Sequence, residues 1–169
     1  MSNSADSEQY TGLILLSGVD KPGITASLFE VLSAFAITIV DIEQVVIKDR
    51  LILTALISLN PAHESTITAD LEGCATSLDV DIATVFSYEH KSTIATKSDL
   101  VHVVILSKKL NPKAVSELAA SMSASGANIE RITRLATSPV TAIEFVLSGS
   151  NQEVLSQVLS PIAANNGVD

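Results

Sequence analysis

The residues best placed to do chemistry lie between an apolar run and a helical pattern, in the loop Gly18-Val19-Asp20-Lys21-Pro22-Gly23-Ile24-Thr25. A helix start presents unpaired backbone N–H groups and the positive end of the helix dipole, which together receive a carboxylate or a phosphate. Pro22 suits the first helical position, where a missing N–H costs nothing. Gly23 has no Cβ and lets a ligand approach the backbone closely. Further on, in Asp41-Ile42-Glu43-Gln44, the two-residue period of an extended chain puts Asp41 and Glu43 on one face, where they could take an ammonium group. A carboxylate site beside an ammonium site is the charge pattern of a free amino acid. Two plainer readings stand beside it: a well-capped helix start with Asp20 favourable to the dipole, and an edge strand protected from aggregation by its charges.

Other chemistries find little support. Asp79-Val80-Asp81-Ile82-Ala83-Thr84 approaches the D-x-D-x-T pattern, in which the first Asp attacks phosphorus and the second acts as acid and base. Its Thr is one position late, and no downstream Lys and acidic pair follows to hold phosphate and magnesium. His63, His90 and His102 stand apart without ligand spacing and read as solvated or strand-end residues, so no metal site is expected. Cys74 is the single cysteine, which excludes an internal disulfide and any CxxC pair. It falls on the apolar stripe of a helix and reads as a small core residue. Ten Lys and Arg against 19 Asp and Glu give a net charge of −9, which argues against a nucleic-acid partner. The polar, acidic N-terminus does not resemble a signal peptide. No apolar run approaches the roughly 20 residues that span a bilayer. The expectation is a cytoplasmic protein with no membrane partner.

The elements that must position the loop follow from an internal repeat. The chain has 169 residues, 47% of them hydrophobic, enough for one ordinary domain or two small ones with real cores. A shift of 90 positions lays Leu16 on Leu106, Ser17 on Ser107, Pro22 on Pro112, Leu28 on Leu118 and Ile42 on Ile132 without a gap. Each half reads as a strand, a helix, two strands and a second helix. Leu13–Ser17 and Val101–Leu106 are continuous apolar runs, as in mid-sheet strands. Ile24–Ala36 carries Ile24, Leu28, Val31, Leu32 and Phe35 at helical spacing, and Val115, Leu118, Ala119 and Met122 repeat it. Ile39–Ile47 and Leu51–Leu59 form a hairpin through Lys48-Asp49-Arg50. Ile129–Leu135 and Val140–Leu147 do the same through Thr137-Ser138-Pro139. Second helices carry Ile67, Leu71, Cys74 and Leu78, then Val154, Leu155, Val158, Leu159 and Ile162. A final strand, Asp81–Tyr88, closes the first half.

This order predicts an α+β protein: two tandem ferredoxin-like βαββαβ sandwiches, each an antiparallel sheet with two helices on one face. The domains are expected at 11–90 and 100–169, joined by a polar linker at 91–99. The second half stops at Gly167-Val168-Asp169, where its last strand should begin, so either the chain is truncated there or an edge strand comes from elsewhere. A natural three-stranded variant is the alternative. Strands one and two are expected to run antiparallel, with the start of strand two at the same end of the sheet as the loop.

The Asp20-to-Gly23 loop opening the first helix resembles the signature of the ACT-domain family of small amino-acid-sensing modules. GVDKPGITASLFEVLS followed by VDIEQVVIKDRL is similar to the amino-terminal region of the actinobacterial-type phosphoserine phosphatases, and DLVHVVIL with GANIERI fits their second module. The resemblance covers residues 11–169. It implies a regulatory, amino-acid-binding module of L-serine biosynthesis, with L-serine as ligand and homodimerisation or higher self-association through sheet edges. The chain itself would be non-catalytic, and magnesium would belong only to a phosphatase domain outside it. The implied ligand-binding residues are Gly18, Asp20, Lys21, Pro22, Gly23, Ile24, Asp41, Glu43 and Gln44, with the ligand held between the loop of one module and the second strand of another. The second-half loop, Ser107-Lys108-Lys109-Leu110-Asn111-Pro112-Lys113, lacks the Asp and the Gly. A pure dimerisation module without ligand is the alternative function.

Overall fold

A computed structural model of the chain describes residues 8–89 and 100–169. They fall in two compact units, each an α+β sandwich. His90 and the expected linker at 91–99 lie outside the described residues. The first unit runs β1 (Gln9–Val19), α1 (Ile24–Leu32), β2 (Thr38–Ile47), β3 (Arg50–Ser58), a 3-10 turn (Pro61–His63), α2 (Glu64–Leu78) and β4 (Val80–Glu89). The second runs β5 (Val101–Ser107), α3 (Pro112–Ala124), β6 (Asn128–Ala136), β7 (Thr141–Ser148) and α4 (Gln152–Asn166). The first sheet has four strands in the order β2-β3-β1-β4, and the second has three, β5-β7-β6, without the closing strand. No helix of the described residues is long and apolar enough to cross a membrane.

Alternation along the strands sets the layers. In β1, Gly12, Ile14, Leu16 and Gly18 face the helices, and in β3 Leu51, Leu53, Ala55 and Ile57 do. They meet Ile24, Leu28 and Leu32 of α1 and Ile67 and Leu71 of α2 in one core. The second core centres on Phe145 and Leu147 of β7, Leu118 and Met122 of α3, and Leu155 and Leu159 of α4. There α3 turns Ala114, Leu118 and Met122 inward, so Val115 and Ala119 stand at the flank of its buried face.

Glycine size, not flexibility, matters at two places in β1. A Cβ on Gly12 would lie 2.6 Å from the Phe86 ring, and one on Gly18 would lie 2.6 Å from a Val80 methyl. Both partners are on β4, which pairs with β1 at Gly12↔Phe86 and Gly18↔Val80. The Tyr10 ring stacks on Phe86 with centroids 6.4 Å apart. Its hydroxyl donates to the Glu64 carboxylate at the start of α2, fastening the sheet to the second helix.

Two expectations are corrected. The first helix ends at Leu32 and does not run on to Ala36. Ser33 turns its hydroxyl back onto the Glu30 carbonyl at 2.7 Å, and the N–H groups of Ala34 and Phe35 reach Val31 and Leu32, three residues back, so the last turn tightens and stops. Strands β1 and β2 run parallel to each other, because each pairs antiparallel with β3 between them. Helix α1 carries the chain back along the sheet before β2 starts, so β2 begins at the end opposite the loop.

Leu28 is fully buried between α1 and the sheet, and Leu28→Ala is expected to destabilise the first unit by about 2–5 kcal/mol in urea unfolding. The Tyr10 phenol is pushed up to about 12, first by its hydrogen bond to Glu64 and then by desolvation. A phenol that keeps its proton more tightly in the folded state adds stability present in full below its ordinary value of 10.0 and lost as pH rises toward about 12. Tyr10→Phe should flatten that alkaline loss in denaturation curves taken across the same range.

Candidate functional site

The loop after β1 emerges where three segments converge. The Asp20 backbone N–H donates to the Asp49 carbonyl in the β2–β3 turn at 2.8 Å. That turn closes over Lys48-Asp49 alone, since Ile47 pairs with Arg50, and Lys48 takes the positive φ of 58° it requires. On the other side, Lys21 Nζ stands 3.9 Å from the Asp79 carboxylate at the end of α2, a long, solvent-exposed pair of small energetic weight.

Gly23, not Pro22, makes the helix start. It is the N-cap residue, with φ 93° and ψ −10°. Those angles fit the third residue of a type II turn, whose second position favours proline. Pro22 therefore sits ahead of the cap, and the expectation that it occupies the first helical position is corrected. Its fixed φ sets the turn that swings α1 away from β1. A Cβ on Gly23 would meet nothing within 4 Å, so glycine is needed there for its backbone and not for space.

No side chain caps α1, and its first turn holds no acidic residue. Its counterpart α3 is closed: Asn111 accepts from the Ala114 N–H at 2.9 Å, with Pro112 at the head of the helix. In α4, Asn151 accepts from Val154 in the same way. The plainer reading of a well-capped helix start is therefore corrected: among the described residues no side chain caps the leading N–H groups of α1 at Ile24, Thr25 and Ala26.

The second strand contributes unevenly. Gln44 pairs with Leu53 on the helix-facing side, and its amide oxygen accepts from the Thr25 hydroxyl in the first turn of α1 at 2.6 Å. Asp41 and Glu43 share a face, as expected, but it is the other one: they pair with Leu56 and Thr54, which point away from the helices. Through β3, Asp41 lies level with Leu13. That is about six rungs of ~3.3 Å below the loop, on the order of 20 Å. Within one unit the expected juxtaposition of Asp41 and Glu43 with the helix start is therefore corrected, because it rested on the wrong strand direction. Gly18, Asp20, Lys21, Pro22, Gly23 and Ile24 are brought together with Gln44. Of these, Gly18 has a packing reason to be small, its contact with Val80. Thr25, which the sequence quoted in the loop without a role, is the missed member; its hydroxyl in the first turn was the available signal.

The remaining candidates disperse. Asp79 caps α2 in the left-handed conformation with φ 56°, whereas Asp81 sits in β4 opposite Ser17. The His63 ring, half-buried at the end of the 3-10 turn, lies 5.9 Å from that of Phe35 and its Nδ1 is buried without a partner among the described residues, so it is not a strand-end residue. His102 Nδ1 lies 2.9 Å from Glu144 across the β5–β7 pair. Among the described residues no cluster fits a metal ion. Cys74 is buried beside Leu71, and burial pushes its thiol pKa up, away from nucleophilic use.

Two family models, each described as an ACT domain, match residues 11–85 and 101–169. The chain is 39% identical to a phosphoserine phosphatase of Streptomyces coelicolor over 170 residues, spanning 100% of the chain and 41% of that protein. It is 31% identical to phosphoserine phosphatase SerB2 of Mycobacterium tuberculosis over 161 residues, 93% of the chain and 39% of that protein. The chain thus spans about two fifths of the length of these relatives. The crystal structure of an unknown protein from Galdieria sulphuraria shares the fold, with a TM-score of 0.75 at 18% identity over 96% of each chain. With both halves matched in succession, the chain belongs to the ACT-domain family as two ACT domains in tandem.

Proposed function

We propose that the chain is a regulatory module that senses a small amino acid, L-serine, for a phosphatase acting on phosphoserine in L-serine biosynthesis. The observation that carries this reading is the uncapped start of α1 behind the left-handed Gly23. Amides without side-chain partners at a helix start suit the ligand carboxylate. The amide oxygen of Gln44, already at the first turn, is an acceptor for the ammonium group. The relatives support the substrate class, since both are phosphoserine phosphatases matched over the same region.

Asp41 and Glu43 enter this reading as residues of a second copy. Strand β2 is an edge strand, exposed along its whole length, with Ile39, Val40, Ile42, Val45, Val46 and Ile47 all open. An apolar edge with unpaired backbone groups invites strand addition. If two β2 strands pair antiparallel, the start of the partner strand, with its Asp41, comes to the end of the sheet where the loop emerges. Two four-stranded sheets then join into one of eight strands, and the dimer completes the acidic side of the site.

The relatives are matched over about two fifths of their length, and in this reading catalysis belongs to the part of such a protein outside the matched region. Incubation with phosphoserine and magnesium is expected to release no phosphate above background, and Asp79→Asn should change nothing. Isothermal titration of the whole chain with a panel of common amino acids is expected to give heat with L-serine. Serine at 100 times its Kd should stabilise the fold by about 2.7 kcal/mol. Gly23→Ala forces a Cβ into the left-handed region at a cost of about 1–2 kcal/mol and should abolish the heat without dissociating the dimer. Silence across the panel from a folded, dimeric chain would leave dimerisation as the module's role.

A further inference from the structure

At the mouth of the candidate site, the second residue of α1 reaches across to the edge strand. The Thr25 hydroxyl donates to the Gln44 amide oxygen at 2.6 Å, joining residues 19 apart in the chain. Both ends of this bridge are held from behind. Thr25 follows the buried Ile24, and its β-branched side chain has little freedom at χ1. Gln44 pairs with Leu53, which is fully buried. The bond itself is open to solvent, where water competes for both partners, so it adds little to the fold. What it does is set the direction of a long side chain on an exposed strand, which would otherwise turn freely.

The bridge leaves a defined set of donors and acceptors. The Thr25 hydroxyl has spent its proton, so its oxygen is left as an acceptor. The Gln44 oxygen keeps a second lone pair. The Gln44 amide nitrogen carries two N–H groups with no acceptor among the described residues. An amino acid whose carboxylate sits on the uncapped amides of α1 brings an ammonium group, which only donates and so takes the two oxygens. Carboxylate and ammonium together leave the Gln44 N–H groups unmatched. An acceptor in the side chain of the ligand matches them; a hydroxyl does so, and a methyl does not.

We propose that the Gln44 amide selects, among small amino acids, those with a hydroxyl side chain, and that Thr25 is the positioning residue that lets it do so. Such selection rests on α1 receiving an amino acid, and it narrows the ligand to a class. By holding the amide oxygen from the helix side, Thr25 leaves the N–H groups turned toward the ligand side chain. Without that hold the amide is free to flip, and the flipped amide sets its N–H groups against the ammonium.

Isothermal titration of the whole chain with L-serine and L-alanine tests this, with the ratio of the two Kd values as readout. Wild type is expected to favour serine about tenfold, the worth of one ordinary hydrogen bond. Thr25→Val keeps the shape of the side chain without its hydroxyl and should bring the ratio to about one. Thr25→Ser returns the hydroxyl and should restore the preference. Gln44→Leu should also erase it, and Thr25→Val added to Gln44→Leu should change the ratio no further, since Thr25 acts through Gln44. Thr25→Val is expected to keep the wild-type urea midpoint, because the bond is exposed; a large drop would make Thr25 a structural residue and overturn the proposal. Equal affinity of the wild type for both amino acids would overturn it too, as would a serine preference that survives Thr25→Val or that Thr25→Ser fails to restore. A wild type silent toward both amino acids is a different result: it removes the amino-acid site itself, and the selection with it.

Discussion

The placement of strand β1 between two antiparallel neighbours is the constraint from which the site in the first unit follows. Hydrogen-bonded on both sides, β1 cannot shift in register without breaking pairs to β3 and β4 together. Its end is therefore fixed, and the chain must leave it at Val19 through a turn tight enough to start α1 against the same sheet. The Pro22-Gly23 pair makes that turn, and the left-handed glycine leaves the helix without a side-chain cap. The open helix start is thus a product of how the central strand is held. Thr25 and Gln44 tie the first turn of α1 to β2 across the layer, so the site is braced from the sheet as well.

The two units use one plan with opposite finishing. In the second, Asn111 satisfies the helix start and Pro112 heads the helix, giving a closed corner in place of an open one. Where the first unit has β4 against β1, the second has no fourth strand among the described residues. Gly18 shows how close the missing contact is when present, since any side chain there would collide with Val80. Ser107, buried near the end of β5, carries a side chain where no fourth strand of the described residues crowds it. Duplication has thus left one unit complete in its sheet and open at its helix start, and the other the reverse.

Much of this was legible in the sequence. The apolar runs, the helical spacing of Ile24, Leu28 and Leu32, and the 90-residue repeat set the element order and the α+β class, because burial of one face imposes those periods. The loop at Asp20–Gly23 was legible because glycine and proline act locally. Strand direction was not, since periodicity carries no sense of up or down; only the helix between β1 and β2, returning along the sheet, makes them parallel. The face taken by Asp41 and Glu43 was equally hidden. An irregularity in the β2–β3 pairing between Ile39 and Asp41 shifts the alternation, and a single extra residue reverses every side chain that follows. The end of α1 at Leu32 depended on one serine hydroxyl turning back on the helix, which the apolar stripe running on to Phe35 does not record.

The contact between Gly12 and the Phe86 ring carries a historical consequence. Neither position can change size alone: a methyl at 12 strikes the aromatic ring, and a smaller residue at 86 leaves a hole beside the central strand and takes away the surface on which Tyr10 stacks. Bulk can only be traded across the two strands, so among descendants of this domain the two sites should drift as a coupled pair, one gaining volume as the other gives it up.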